Sequence, residues 1–167
     1  MKAYLATYRV QLVREPSGLH KLDRKMTGPL EAVAVATEVT GFHNEAQEVG
    51  ILLTVDAKSC VSSVYEVSRG SLESSVLHPR EIFKIALLHN ASGLILLHSH
   101  PSGDPTPSEG DVALTKRLVA AGELMGIPLL DHIIVNSECE FQSIREFVAE
   151  EQRQMMQPIG QTLHRPH

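Results

Sequence analysis

Apolar and polar positions alternate over residues 3–14, with Tyr4, Ala6, Tyr8, Val10 and Leu12 set against Leu5, Thr7, Arg9, Gln11 and Val13. A period of two predicts a β-strand there, and Glu15-Pro16-Ser17-Gly18 marks the turn that follows it. Residues 27–40 predict a helix: Thr27 can cap it, Pro29 suits its first turn and Gly41 stops it. The apolar run at 49–55 predicts a strand, joined through Asp56-Ala57-Lys58-Ser59 to a second strand at 60–67 as a hairpin. Residues 71–79 read as an irregular connection. Residues 80–90 then carry Ile82, Phe83, Ile85, Ala86 and Leu88 at helical spacing. Leu94-Ile95-Leu96-Leu97 has no polar residue, as in a central strand covered on both faces. A polar, proline-rich loop at 98–107 leads into a helix at 109–125, stopped by Gly126. Strands at 127–135 and 139–142, a helix at 143–152 and a loose tail at 157–167 complete the reading.

The order β, α, ββ, α, β, α, ββ, α predicts an α/β class, a mixed sheet flanked by helices as an α/β/α sandwich. At 167 residues and 43% apolar content, one domain can bury a core without disulfides or a structural metal. Cys60 and Cys139 form neither a disulfide framework nor a CxxC site. Twenty acidic against fifteen basic residues give a net charge of −5, which argues against direct nucleic-acid binding. No apolar run is long enough for a membrane span, and the N-terminus lacks the apolar block of a signal peptide. A cytoplasmic protein is the expectation.

The nine histidines change the picture, because two of them stand in the stretch His98-Ser99-His100 at the end of the apolar strand. A spacing of two puts both imidazoles on one face of a sheet. Prolines at 101, 105 and 107 stiffen the loop that follows, and Ser108 and Asp111 have the spacing of a helix-capping pair. That cap returns Asp111 to the strand end. Two imidazoles and one carboxylate form a three-ligand zinc set with a fourth position open to water, the arrangement of a catalytic site. The spacing arises by chance in about one such chain in a thousand, so composition alone does not account for it.

His98-Ser99-His100 with Ser108 and Asp111 resembles the JAMM (MPN-plus) metalloprotease motif. The segments Arg69-Gly70-Ser71-Leu72, His78-Pro79-Arg80-Glu81, His100-Pro101-Ser102-Gly103-Asp104-Pro105 and Leu130-Asp131-His132-Ile133-Ile134-Val135 look like the RadC-like branch of that family. The resemblance covers residues 45–150. Ser99 departs from it, since RadC-like proteins usually have Asn there, and residues 1–40 do not look like the helix-hairpin-helix region of longer RadC proteins. That difference and the acidic charge weaken a DNA-repair reading.

The resemblance implies a JAB/MPN, cytidine-deaminase-like α/β/α fold over residues 45–153, completed by a strand and helix within 1–44 and followed by a flexible tail at 154–167. It implies zinc held by His98, His100 and Asp111. It implies that Ser108 orients or stabilises the tetrahedral intermediate and that a Glu from an earlier strand is the general base. Glu48, just before the strand at 49–55, occupies that position, with Glu45 and Glu66 as rivals, although most Glu residues are solvated surface groups. The implied function is zinc-dependent hydrolysis of peptide or isopeptide bonds in a protein or peptide substrate. Two alternatives are a non-hydrolytic interaction module working with DNA-repair or mobile-element proteins and a metal-dependent nuclease. Nucleases of this kind often hold two metals with more carboxylates than residues 98–111 supply.

Other residues carry weaker expectations. His78 reads as a loop-packing residue, or as a wall of the cleft. His132 reads as a satisfied core histidine, or as one paired with Asp131 behind the metal. Asp104 reads as stabilising the turn before Pro105, or as a contact for a substrate amine. Arg80 reads as an exposed charge at a helix start, or as a contact for a substrate carboxylate.

Overall fold

Two runs of seven consecutive buried residues set the architecture: Val49–Val55 forms β1 and Gly93–Ser99 forms β3. Strands buried on both faces belong in the middle of a covered sheet, and these two are neighbours there. The structure, a computed structural model, describes residues 25–70, 77–148 and 150. Within it, β2 (Val61–Arg69) pairs antiparallel with β1, and β1 antiparallel with β3. β3 pairs parallel with β4 (Leu129–Val135), which pairs antiparallel with β5 (Phe141–Ser143). The order is β2-β1-β3-β4-β5, a mixed sheet of the expected α/β class.

The period of two divides the core into two layers. Val49, Ile51, Leu53 and Val55 of β1, with Ile95 and Leu97 of β3, pack on one face against Ala32, Val33, Val35 and Ala36 of α1 (Pro29–Thr40). Leu52, Leu94 and Leu96 face the other way. They meet Ile82, Phe83 and Ala86 of α2 (Pro79–Leu88) and Leu114 and Leu118 of α3 (Glu109–Met125). The small residues of α1 let that helix lie close to the sheet, as its composition leads one to expect.

Observed boundaries depart from the sequence reading where local chemistry intervenes. Thr27 does not cap α1: the N-cap is Gly28, with no side-chain cap. Thr27 instead hydrogen-bonds the Glu31 carboxyl and holds it below its ordinary value. Gly41 stops the helix in the left-handed conformation, as expected. Leu129 rather than Ile127 opens β4, because the Ile127 N–H is spent on the Gly122 carbonyl closing α3. The last strand begins at Phe141, since Cys139 sits in the preceding turn at φ 61°. Residues 144–148 are helical. The strand expected at 3–14 and the tail expected at 157–167 lie outside the described residues. No helix among the described residues is long and apolar enough to cross a membrane.

Candidate metal centre

β3 runs two residues beyond its apolar stretch, so that His98 and Ser99 are part of the sheet rather than of the loop. His98 shares the α2/α3 face with Leu94 and Leu96, and it pairs across β1 with Gly50, which has no side chain to set beside the imidazole. Ser99 turns to the opposite face, where its Oγ accepts the Val49 N–H at 2.9 Å and ties the start of β1 to the end of β3. The loop then folds back in steps. His100 donates its N–H to the Val135 carbonyl, Gly103 donates to the His100 carbonyl at φ 88°, and Asn136 Nδ2 holds the Gly103 carbonyl at 3.0 Å. Asp104 stabilises the turn as expected, its carboxylate accepting the Thr106 N–H at 2.9 Å.

Ser108 caps α3 in a capping box with Asp111. Asp111 Oδ2 takes the Ser108 N–H at 2.8 Å and the Ser108 Oγ–H at 2.5 Å. Its Oδ1 is turned toward the histidines, 3.3 Å from His98 Nε2, while His100 Nε2 lies 3.8 Å from Oδ2. The two Nε2 atoms are 3.0 Å apart. His98 is fully buried and Asp111 nearly so, whereas His100 is half-buried. Burial pushes the His98 pKa down to about 4 against the opposing pull of Asp111, so its ring is neutral.

The donor set fits a cation. His100 Nδ1 lies 2.8 Å from the Asp104 carbonyl, which can only accept, so Nδ1 carries a proton and Nε2 is the nitrogen turned toward His98 and Asp111. One ligand atom from each of His98, His100 and Asp111 falls within a 4.8 Å span. The 3.0 Å between the two Nε2 atoms and the 3.3 Å from His98 Nε2 to Asp111 Oδ1 lie close to the edge of about 3.3 Å that a tetrahedral ion with nitrogen bonds of about 2.0–2.1 Å requires. Among the described residues, this is the one such group of three. Two ligands come from a strand end and its loop, and the third from the first turn of the helix that follows.

The three candidate carboxylates are placed differently. Glu48 is half-buried and immediately precedes β1. Glu48 stands two residues before Gly50, the partner of His98, so the alternation of the strand carried back from Gly50 puts it on the His98 face. Glu66 pairs with Ile51, whose side chain lies in the α1 layer, so it belongs to the opposite face of the sheet. Glu66 and Glu45 are also bound by one guanidinium, Arg69, at 2.8 and 3.0 Å on the surface.

The weaker expectations resolve locally. His78 is exposed and caps α2, its Nδ1 accepting the Arg80 N–H at 3.1 Å. Arg80 is an exposed charge beside Glu81. Both cysteines are free. His132 is fully buried and lies behind the metal centre, 2.9 Å from His98. Its ring is not paired with the Asp131 side chain, because consecutive strand residues face opposite ways; Asp131 Oδ1 takes the His132 backbone N–H instead. Sequence reasoning misses Thr115, which bonds His132 at 2.7 Å. Its one signal is its place four residues after Asp111 on the same helix face.

The profile of the RadC-like JAB domain matches residues 26–151, well over half of the chain. A UPF0758 protein of Desulforamulus reducens is 50% identical over 95 residues, which are 57% of this chain and 41% of that protein. One from Clostridium perfringens is 49% identical over 100 residues, 60% of this chain and 44% of its own length. One from Clostridium beijerinckii is 42% identical over 125 residues, 74% of this chain and 53% of its own. The chain thus spans about half the length of these relatives. By motif, by sheet and by the extent of that match, the chain belongs to the RadC-like JAB domain family.

Proposed function

We propose that the protein is a zinc-dependent hydrolase of the JAMM type, acting on peptide or isopeptide bonds in a protein or peptide substrate. The observation that carries this reading is the convergence of His98, His100 and Asp111 within 4.8 Å at the end of a strand whose neighbour, β1, begins just after Glu48. His98, His100 and Asp111 would hold the zinc, which supplies a water acidified to near neutrality and a Lewis acid for a carbonyl oxygen.

The remaining work falls to the protein's own groups. Glu48 takes a proton from the attacking water at a carboxylate oxygen and returns it to the leaving amine. Ser108 donates a hydrogen bond to the oxygen of the tetrahedral intermediate, for which its Oγ–H exchanges Asp111 Oδ2 for the substrate. The Ser108 backbone N–H keeps Asp111 in place during that exchange. A net charge of −5 weighs against direct nucleic-acid contact, which leaves the family's DNA-repair association as the route by which such contact would arise.

Metal content by mass spectrometry, on wild type and His98→Ala purified in one buffer, tests the reading. About one zinc per wild-type chain, lost in the variant, is expected. Glu48→Gln should keep the zinc and lose about 10²–10⁴-fold in the hydrolysis of a peptide library. A wild type that takes up no zinc after addition and dialysis overturns the assignment in favour of an interaction module.

A further inference from the structure

Behind the metal centre, a row of hydrogen bonds runs from the Asp111 backbone carbonyl to His98. The Thr115 Oγ–H donates to the Asp111 backbone carbonyl at 2.7 Å, so Oγ is left to accept from His132 Nδ1, also at 2.7 Å. A neutral His132 with its proton on Nδ1 offers the lone pair of Nε2. His98 Nδ1 lies 2.9 Å from that lone pair and therefore donates to it. The bare Nε2 of His98 then lies 3.3 Å from Asp111 Oδ1, two lone-pair atoms with no proton between them, as two ligands of one ion would stand. His98, His132, Thr115 and Asp111 are all buried and come from three elements, β3, β4 and α3.

We infer that His132 and Thr115 are positioning residues: they set the tautomer and ring orientation of His98 and tie two ligands of the ion to each other before it arrives. The inference rests on the metal site proposed above. The direction of the whole row follows from one fact, that a backbone carbonyl cannot donate. The reversed row would put a proton on His98 Nε2, against the place where the ion must bind. A buried histidine that merely fills the core needs partners for its nitrogens, but it has no need of a partner that fixes their order.

Two measurements test this. In long-range ¹H–¹⁵N NMR spectra of the metal-free protein near pH 8, His98 and His132 should both carry the proton on Nδ1, with His132 Nε2 unprotonated. A proton on His132 Nε2 with His98 Nδ1 bare overturns the inference without any variant. The second measurement is titration with zinc alone against a chelator. His132→Leu, which removes the acceptor, should lower zinc affinity about 10–100-fold. His132→Gln, whose Oε1 can accept from His98, should recover most of that loss. Thr115→Val should weaken binding in the same direction as His132→Leu. A wild type that binds zinc, with His132→Leu folded and binding as tightly, overturns this inference alone. A wild type that binds none overturns the hydrolase reading itself, and with it any positioning role for His132.

Discussion

Asp131 and His132 are adjacent in the chain and belong to different layers of the molecule. The His132 ring joins the metal centre on the α2/α3 side. The Asp131 carboxylate is on the α1 side, accepting from Ser143 Oγ at 2.8 Å and from the His132 N–H at 2.7 Å. Burial raises the Asp131 pKa despite these two bonds. A carboxyl whose folded-state pKa lies above its unfolded value holds its proton longer in the folded state. Its contribution is therefore present at low pH and is lost as pH rises from about 4 through the folded-state value. Asp131→Asn keeps an acceptor for both bonds and removes the buried charge. It should raise the melting temperature at pH 7, with the gain shrinking toward pH 4. Thermal unfolding across pH 4–8 decides this, and a variant less stable than wild type at pH 7 contradicts it. At this scale the sequence displays the ligands but not their surroundings: His98, His100, Ser108 and Asp111 stand within one short stretch, whereas the contact of Thr115 with His132 joins a helix to a strand across 17 positions.

The helices show which elements are legible and why. The helix predicted at 109–125 is α3, Glu109–Met125, because Ser108 caps it and Gly126 ends it at φ 69°, both local signals. The pattern predicts too short a β3, because a polar pair after four apolar residues looks like the start of a loop. What holds His98 and Ser99 in the sheet is pairing with β1 and β4, which periodicity does not report. The glycines of α3 divide in the same way. A Cβ on Gly122 would stand 2.7 Å from the Ile127 carbonyl oxygen and 3.2 Å from the Leu129 nitrogen, both backbone atoms that cannot swing aside. Gly122→Ala should therefore lose about 1–2 kcal/mol net, because overpacking outweighs the gain in helix propensity. Gly110→Ala, whose Cβ would meet Ser108 Oγ at 3.6 Å, should gain less than about 1 kcal/mol. Denaturant unfolding of the two variants is the check, and a stabilised Gly122→Ala would contradict this account of the helix–strand junction.

For the whole molecule, an ion that binds the folded state and not the unfolded chain must stabilise it. Free zinc at a hundredfold excess over its Kd should add about 2.7 kcal/mol, or about 5–10 °C in melting temperature for a chain of this size. His100→Ala should show little of that shift. Equal melting temperatures for wild type with zinc and with chelator would contradict the linkage. The fold class is legible from the succession of elements alone. The different settings of Glu48, Glu45 and Glu66 are not, because two of them precede β1 and one lies within β2, and only strand register and the contacts of Arg69 set them apart.

The candidate metal ligands all fall between residues 98 and 111, whereas the contact that ties the start of β1 to the end of β3 spans 50 positions. A short loop closes at small entropic cost, and a long-range strand pairing closes late and at greater cost. On the proposed roles, grip and turnover are thus built from contacts of different range. A chain in which β1 has come away while β3 stays paired with β4 would still have one strand holding His98 near His100 and Asp111 after Glu48 had left. The zinc content of a sample would then follow the β3–α3 segment and its β4 neighbour, and its turnover the pairing of β1 with β3.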